Sequence, residues 1–231
     1  MLDFGKWLKV FDFKNLEGFF SSEKGKGGVG DALITVLVSN LIYQVPIMII
    51  SILSVMILGS AAGYSSSAAL FGGSIIIASI VLFFISIILE IALFFIMNGT
   101  QHIIAGLLGG KGKYGDLLYL DSYIIAASNL VALVLGIIPA VLTLIPGVGT
   151  MASGLLSCVL LPIEIIVAIY MLYALYHVLK INYGLSSGRA IGTLALNIIL
   201  WVIIVAILVL VLYAILIIPY LQSLGSLSST Y

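Results

Sequence analysis

Residues Ala190 to Ile218 read AIGTLALNIILWVIIVAILVLVLYAILII, without one charged side chain, and the Arg189 just before them is the last basic residue of the chain. A hydrocarbon core of about 30 Å is crossed by about 20 apolar residues in a helix rising about 1.5 Å per residue. This stretch passes that test with residues to spare, and it sets the standard for the rest of the sequence.

Working back from it, Met151 to Leu179, Ser74 to Leu108 and Ala32 to Gly59 qualify equally, and Leu117 to Leu142 qualifies with Asp121 as its single charge. The sequence therefore specifies an all-α, multi-pass membrane helical bundle of five transmembrane helices. Composition agrees, because 63% of the residues are hydrophobic and 8% charged, against about 25% charged in a soluble domain. A formal charge of zero excludes an electrostatic nucleic-acid binder, which carries a basic excess. Cys158 stands alone in an apolar run, so neither an intramolecular disulfide nor a multi-thiolate metal site can be built.

The nine basic residues sort by connection. Lys6, Lys9, Lys14, Lys24 and Lys26 precede the first span, Lys111 and Lys113 join the second to the third, and Lys180 and Arg189 join the fourth to the fifth. The connections Ser60 to Gly73 and Thr143 to Thr150, and the tail from Pro219, contain none. Basic side chains are retained on the cytoplasmic face, so the N-terminus is expected in the cytoplasm and the C-terminus outside. Four or six spans would scatter these charges.

Three regions follow: a cytoplasmic segment 1–30, a membrane domain 31–218 and a short external tail 219–231. In the first, Phe4, Trp7, Leu8 and Phe11 share a helical face, which predicts an amphipathic helix lying on the inner leaflet. The early lysines and acids are too polar for a cleavable signal peptide. Ser21 to Gly30 reads as a linker, with Asp31 placed to cap the first span. The second hydrophobic run is too long for one upright crossing, and Asn98-Gly99 predicts a tilt or break there. Gly106 with Gly110, and Gly188 with Gly192, have the spacing of close helix contacts.

Among polar residues inside the spans, Glu90, Glu164, Asn98 and Gln101 stand out. A carboxylate at bilayer depth costs about 2.5 to 3.5 kcal/mol on insertion scales, and neither Glu has a basic partner within the spans. Both sit at comparable depth and could meet. One reading is a proton or cation relay, and the other is a neutral carboxyl acting as packing glue worth about 1 kcal/mol. Pro162 frees a carbonyl near Glu164 that a protonated carboxyl could satisfy. His102, His177, Asp116 and Asp121 lie toward the inner interface, where a two-His, carboxylate metal site is conceivable. No spacing fixes two ligands on one helix, so neither a metal nor a cofactor is assigned. Tyr170, Tyr173 and His177 form a stripe on the face away from Glu164, read as a helix contact or aromatic belt. No nucleophile triad, nucleotide loop or paired-Cys motif is present, which leaves an enzyme reading without residues.

Leu108-Gly109-Gly110-Lys111-Gly112-Lys113-Tyr114, following the helix end that bears His102, and Tyr183-Gly184-Leu185-Ser186-Ser187-Gly188-Arg189-Ala190, preceding the last span, resemble motifs of the Yip (Ypt-interacting protein) domain family. The five-span, N-inside layout is similar too. The resemblance covers roughly residues 20 to 218. It implies a non-enzymatic scaffold that organises membranes or partner proteins, with membrane lipids and a homo-oligomer or other membrane proteins as partners. Eukaryotic members bind small GTPases of the Rab type. The short cytoplasmic segment here lacks their long polar extension, which speaks against GTPase binding and for a prokaryotic plasma membrane. The alternatives from another class are a small proton- or cation-coupled transporter or channel using Glu90 and Glu164, and a lipid-binding protein with a lateral groove. Physically, Gly109, Gly110 and Gly112 allow a tight turn with Lys111 and Lys113 at the headgroups, while Ser186 or Ser187 caps the last helix and Arg189 snorkels to phosphate.

Overall fold

The computed structural model describes residues 3–61 and 66–228, with side chains described outside 58–72, 75, 212 and 214–228. Seven helices run in the order α1 (Phe4–Lys9), α2 (Leu16–Glu23), α3 (Val29–Ala61), α4 (Ser66–Leu107), α5 (Tyr114–Leu142), α6 (Gly149–Tyr183) and α7 (Ser187–Ser228). Five of them, α3 to α7, are long and apolar enough to cross a membrane. The chain is a multi-pass α-helical membrane protein.

Neighbour contacts place the spans in a ring: α3 packs on α5, α5 on α6, α6 on α7, α7 on α4, and α4 back on α3. In hydrocarbon every polar group must find its partner inside the protein, and side-chain pairs between adjacent helices do this around the ring. Asn129 donates to Ser39 and Asn40, Ser86 to Gln44 at 2.8 Å, and Thr100 to Asn197 at 2.7 Å. Ser54 and Thr143 share a hydrogen bond of 2.6 Å. Each is worth about 1 kcal/mol, so they set register, while packing supplies most of the cohesion.

Burial is uneven along the spans. The fully buried side chains gather at the end where the N-terminal helices and the two basic turns meet, including Leu117, Leu120, Ala126, Ala174, Val178 and Leu179. Toward the other end α6 and α7 present Met151, Leu155, Val159, Val202 and Leu208 outward, as lipid-facing helices do.

The N-terminal segment departs from expectation. It forms two short helices instead of one, and the anticipated face is split. Trp7 is 1% exposed and packs in the core with Val10, Leu16 and Phe20, whereas Phe4, Leu8 and Phe11 face outward. The Tyr170, Tyr173 and His177 stripe of α6 receives the segment. Tyr170 donates to the Val10 carbonyl, and the Phe13 ring stacks on Tyr173. The expected linker continues α2 as far as Glu23, and Asp31 lies inside the first turn of α3 with its carboxylate accepting from Gly28 N at 3.2 Å.

Three further expectations are corrected. The α4 helix runs unbroken through Asn98-Gly99, because the Asn98 amide back-bonds to the Phe94 carbonyl at 3.0 Å and is held from α5, so it does not compete with the helix. The connection expected over Ser60 to Gly73 is largely helical, with residues 62–65 outside the described residues. The expected tail from Pro219 continues α7 to Ser228, in keeping with the helix-forming Leu221, Gln222 and Leu224; residues 229–231 lie outside the described residues.

Glu23 ties this segment down. It is 4% exposed, accepts from Lys6 at 2.7 Å and Lys26 at 3.2 Å, and receives the Tyr119 hydroxyl at 3.3 Å. Burial pushes the Glu23 carboxyl up, but the two lysine hydrogen bonds outweigh it and hold the group below the usual carboxylate range. The Glu23 bond raises Lys6 against the opposing effect of burial. A depressed carboxylate stabilises the docked segment above its unfolded pKa and loses that contribution as pH falls through the folded value. A raised lysine contributes below its unfolded pKa and loses it as pH rises through the folded value. Docking is therefore expected to persist from pH 5 through neutrality and to fail only below the ordinary carboxylate range of about 4.3 or above the ordinary lysine range. In a Trp201→Phe background, Trp7 emission in detergent micelles should stay blue across that window. Glu23→Gln should red-shift it at neutral pH, with a loss on the order of 1 kcal/mol, since the freed Lys6 and Lys26 can reach water.

Candidate functional site: the basic end of the bundle

The α4 helix ends in a Schellman motif. Gly110 N bonds to the Ala105 carbonyl at 2.9 Å and Gly109 N to the Gly106 carbonyl at 3.0 Å, with Gly109 at φ 88° in the left-handed region this closure requires. The chain then turns back along the end of α6. Lys111 N donates to the Tyr183 carbonyl at 3.1 Å, and the Asn182 amide donates to the Lys113 carbonyl at 3.1 Å. Gly184, at φ 63°, closes α6 on the other side, and Ala190 N bonds to the Ser186 carbonyl at 3.0 Å as α7 begins at Ser187.

The two turns, about seventy residues apart in sequence, thus form one unit. His102 Nδ1 and the Tyr183 hydroxyl share a hydrogen bond of 2.6 Å, and the His102 ring packs on both Tyr114 and Tyr183. Arg189 reaches back over Gly109, whose added Cβ would stand 3.3 Å from Nη1. Lys24 joins from the N-terminal segment, donating to the Ile181 and Asn182 carbonyls at 2.8 and 3.0 Å, and Lys180 pairs with Glu17 of α2 at 3.1 Å. Lys6, Lys24, Lys26, Lys111, Lys180 and Arg189 therefore belong to one face. Beside it an open cavity of about 960 Å³ lies among α1, α3 and α5, with Lys26 and Phe4 on its wall.

Close approach explains the glycines here, and only some of them. At Gly112 a Cβ would fall 2.7 Å from the Asn182 carbonyl oxygen, and at Gly110 it would fall 2.7 Å from Tyr183 Cβ. Gly106 and Gly188 have nothing within 4 Å, and Gly192 has only Leu108 at 3.8 Å. In each pair one glycine, Gly106 or Gly188, faces open space, while Gly110 approaches Tyr183 from the turn and Gly192 makes an ordinary contact with Leu108, so neither spacing marks a close approach of two helices along both glycines.

The other sequence candidates separate. Glu90 hydrogen-bonds Gln44 of α3, while Glu164 lines a cavity bounded by α3, α4, α5 and α6. The two glutamates, which could have met at their common depth, do not: Glu90 is held by Gln44 and is absent from the wall of the cavity that Glu164 lines. Glu164 has no hydrogen bond within the described residues, so it does not satisfy the carbonyl freed by Pro162. The four proposed metal ligands are also dispersed. His102 is on Tyr183, His177 lies 3.7 Å from Glu17, Asp121 accepts from Asn98 at 2.7 Å, and Asp116 stays in the first turn of α5. Among the described residues no group of three or more His, Cys, Asp or Glu is placed to hold a metal ion.

Comparison with protein-family models, with curated proteins and with solved structures finds no match. The platform must be read from its own geometry.

Tyr183, Asn182 and Glu23 were not recognised in the sequence as the joining residues. Tyr183-Gly184 was visible as part of a motif, but its partner His102 lies on another helix, and no local periodicity links them. Gly112→Ala should lower thermal stability in detergent by about 1 to 3 kcal/mol, since backbone atoms have to move. Gly106→Ala, into open space, should be neutral or gain up to about 1 kcal/mol. Equal effects from the two would contradict the close approach described.

Proposed function

We propose that this protein is a non-enzymatic organiser of membrane and partner proteins of the Yip type, with its N-terminus and basic platform in the cytoplasm and its C-terminus outside. The observation that carries the reading is the joining of the two motif turns into one basic face. The segments in which the family resemblance resides meet each other and the N-terminal helices, and a joined, rigid, lysine-bearing face suits anionic headgroups at about 1 kcal/mol per basic residue. The exposed Phe4, Leu8, Phe11 and Phe13 add apolar anchors beside it. His102 is engaged in holding Tyr183, consistent with an architectural role. A prokaryotic plasma membrane and assembly with itself or with other membrane proteins complete the reading, and small-GTPase binding is not part of it.

A second reading, a lipid- or cation-handling protein, is favoured by the cavity that reaches Glu164. Two measurements distinguish them. In a Cys158→Ser background, Lys111→Cys and Ser226→Cys should be labelled by an impermeant maleimide from opposite sides of sealed vesicles, Lys111→Cys from the inside. In phosphatidylcholine vesicles doped with phosphatidylglycerol, native mass spectrometry should find the anionic lipid enriched on the protein, and Lys111→Gln with Arg189→Gln should reduce that enrichment several-fold. Glu90→Gln and Glu164→Gln should leave assembly nearly unchanged. Proton or cation flux that these Gln variants abolish would replace the organiser reading with the second.

A further inference from the structure

The open cavity of about 960 Å³ among α1, α3 and α5 lies where α3 enters the bundle, and its wall carries charges of both signs, Lys6 and Lys26 with Asp3 and Asp31. Neither lysine is saturated. Each gives one N–H to Glu23, at 2.7 and 3.2 Å, and an ammonium has three donors. Each aspartate accepts one backbone N–H, Asp3 from Gly5 and Asp31 from Gly28, which leaves a second oxygen on each for a further donor. Among the described side chains, two lysines stand against Glu23, Asp3 and Asp31, so one negative charge is in excess.

Thr35 lies one helical turn beyond Asp31 on the same face of α3. It is 7% exposed, and its hydroxyl makes no hydrogen bond among the described residues. Thr100, Thr143 and Thr193 each bond back to the preceding turn of their helix, and Thr35 does not. Unlike the orphan oxygens of Asn98 and Gln101, which are sealed from any contact, the Thr35 hydroxyl keeps some surface, and Thr35 is part of the cavity wall. A nearly buried hydroxyl without a partner carries a desolvation penalty that a ligand oxygen would remove. The order of groups along α3 matches the order of groups in a lipid. Asp31, in the first turn, stands at headgroup level, and Thr35 lies about 6 Å deeper, at the level of the glycerol esters. Ile34 beside it is 52% exposed and opens the wall to acyl chains.

We propose that this cavity binds one phosphatidylethanolamine molecule: Asp3 and Asp31 accept from its ammonium, Lys6 and Lys26 donate to its phosphate, Thr35 donates to an ester carbonyl, and an acyl chain leaves past Ile34. A trimethylammonium head offers the aspartates no N–H. An anionic head adds its own charge to a site already negative, and a free zwitterion leaves Thr35 and Ile34 without a partner. The site is distinct from the Lys111 and Arg189 turns, and it holds whether or not the Yip-type reading does.

The test incubates the full chain in detergent with equimolar phosphatidylethanolamine, phosphatidylcholine and phosphatidylglycerol of matched acyl chains. Bound lipid is counted by native mass spectrometry, and thermal stability is read in parallel. One phosphatidylethanolamine should be retained several-fold over phosphatidylcholine and should raise the melting temperature. Asp31→Asn, which keeps an acceptor for Gly28 N, should abolish that preference, and Lys26→Gln should weaken retention several-fold. Thr35→Val should weaken it by roughly threefold to tenfold and leave lipid-free stability unchanged or higher, which a threonine bonded within the fold would not do. Lys14→Gln, the same charge change outside the cavity, should alter nothing. Equal retention of phosphatidylethanolamine and phosphatidylcholine, a preference that survives both Asp31→Asn and Thr35→Val, or a loss of lipid-free stability in Thr35→Val would overturn the proposal. Displacement of the Thr35-dependent lipid by phosphatidylglycerol would assign the site to anionic lipid, and displacement by soluble glycerophosphoethanolamine would assign it to a free zwitterion; either result also overturns it.

Discussion

Hydrocarbon offers no hydrogen bonds, and nearly everything in this structure follows from that constraint. It forces the backbone of the five spans into helices, and it drives most polar side chains inside the spans to a partner on their own helix, as for Ser51 and Ser157, or on a neighbour. Asn40 with Asn129, Gln44 with Ser86, Thr100 with Asn197 and Asn98 with Asp121 each join two helices of the ring. Since lipid tails solvate leucine as well as another helix does, such pairs choose which helices meet and in what register.

The same constraint makes the exceptions informative. Buried oxygens at Asn98 and Gln101 are left over without a partner. A polar group left unpaired at bilayer depth is a departure from the rule that governs the rest of the bundle, and departures of that kind concentrate where a protein does something other than fold.

Packing density is the second theme. The spans are tightest at the basic end, where Trp7, Phe20, Leu117, Leu120 and Leu179 are almost fully buried, and where Glu23 and Lys24 fasten the N-terminal helices to α5 and α6. That end has water beside it, so ion pairs and loop hydrogen bonds can be made without the cost they would carry deeper. Rigidity at one face and apolar, lipid-facing helices at the other give the molecule a clear polarity, with a platform at one end and a lateral apolar surface at the other.

Unaided, the sequence determined the spans, because length and apolarity against a fixed hydrocarbon thickness leave little choice, while His102, Gly109, Gly110, Gly112, Gly184 and Arg189 were grouped only through the family resemblance of the two segments that hold them. The stripe of Tyr170, Tyr173 and His177 was equally readable as a contact surface from its helical period. Only the tertiary structure decided that Tyr183 closes on His102, that Glu23 is a buried ion-pair centre, that Trp7 turns into the bundle while Leu8 turns out, and that Glu90 and Glu164 stay apart. Periodicity specifies which residues share a face of one helix. It carries no information about how far that helix is rotated toward each of its neighbours, and every one of these pairings is set by that rotation.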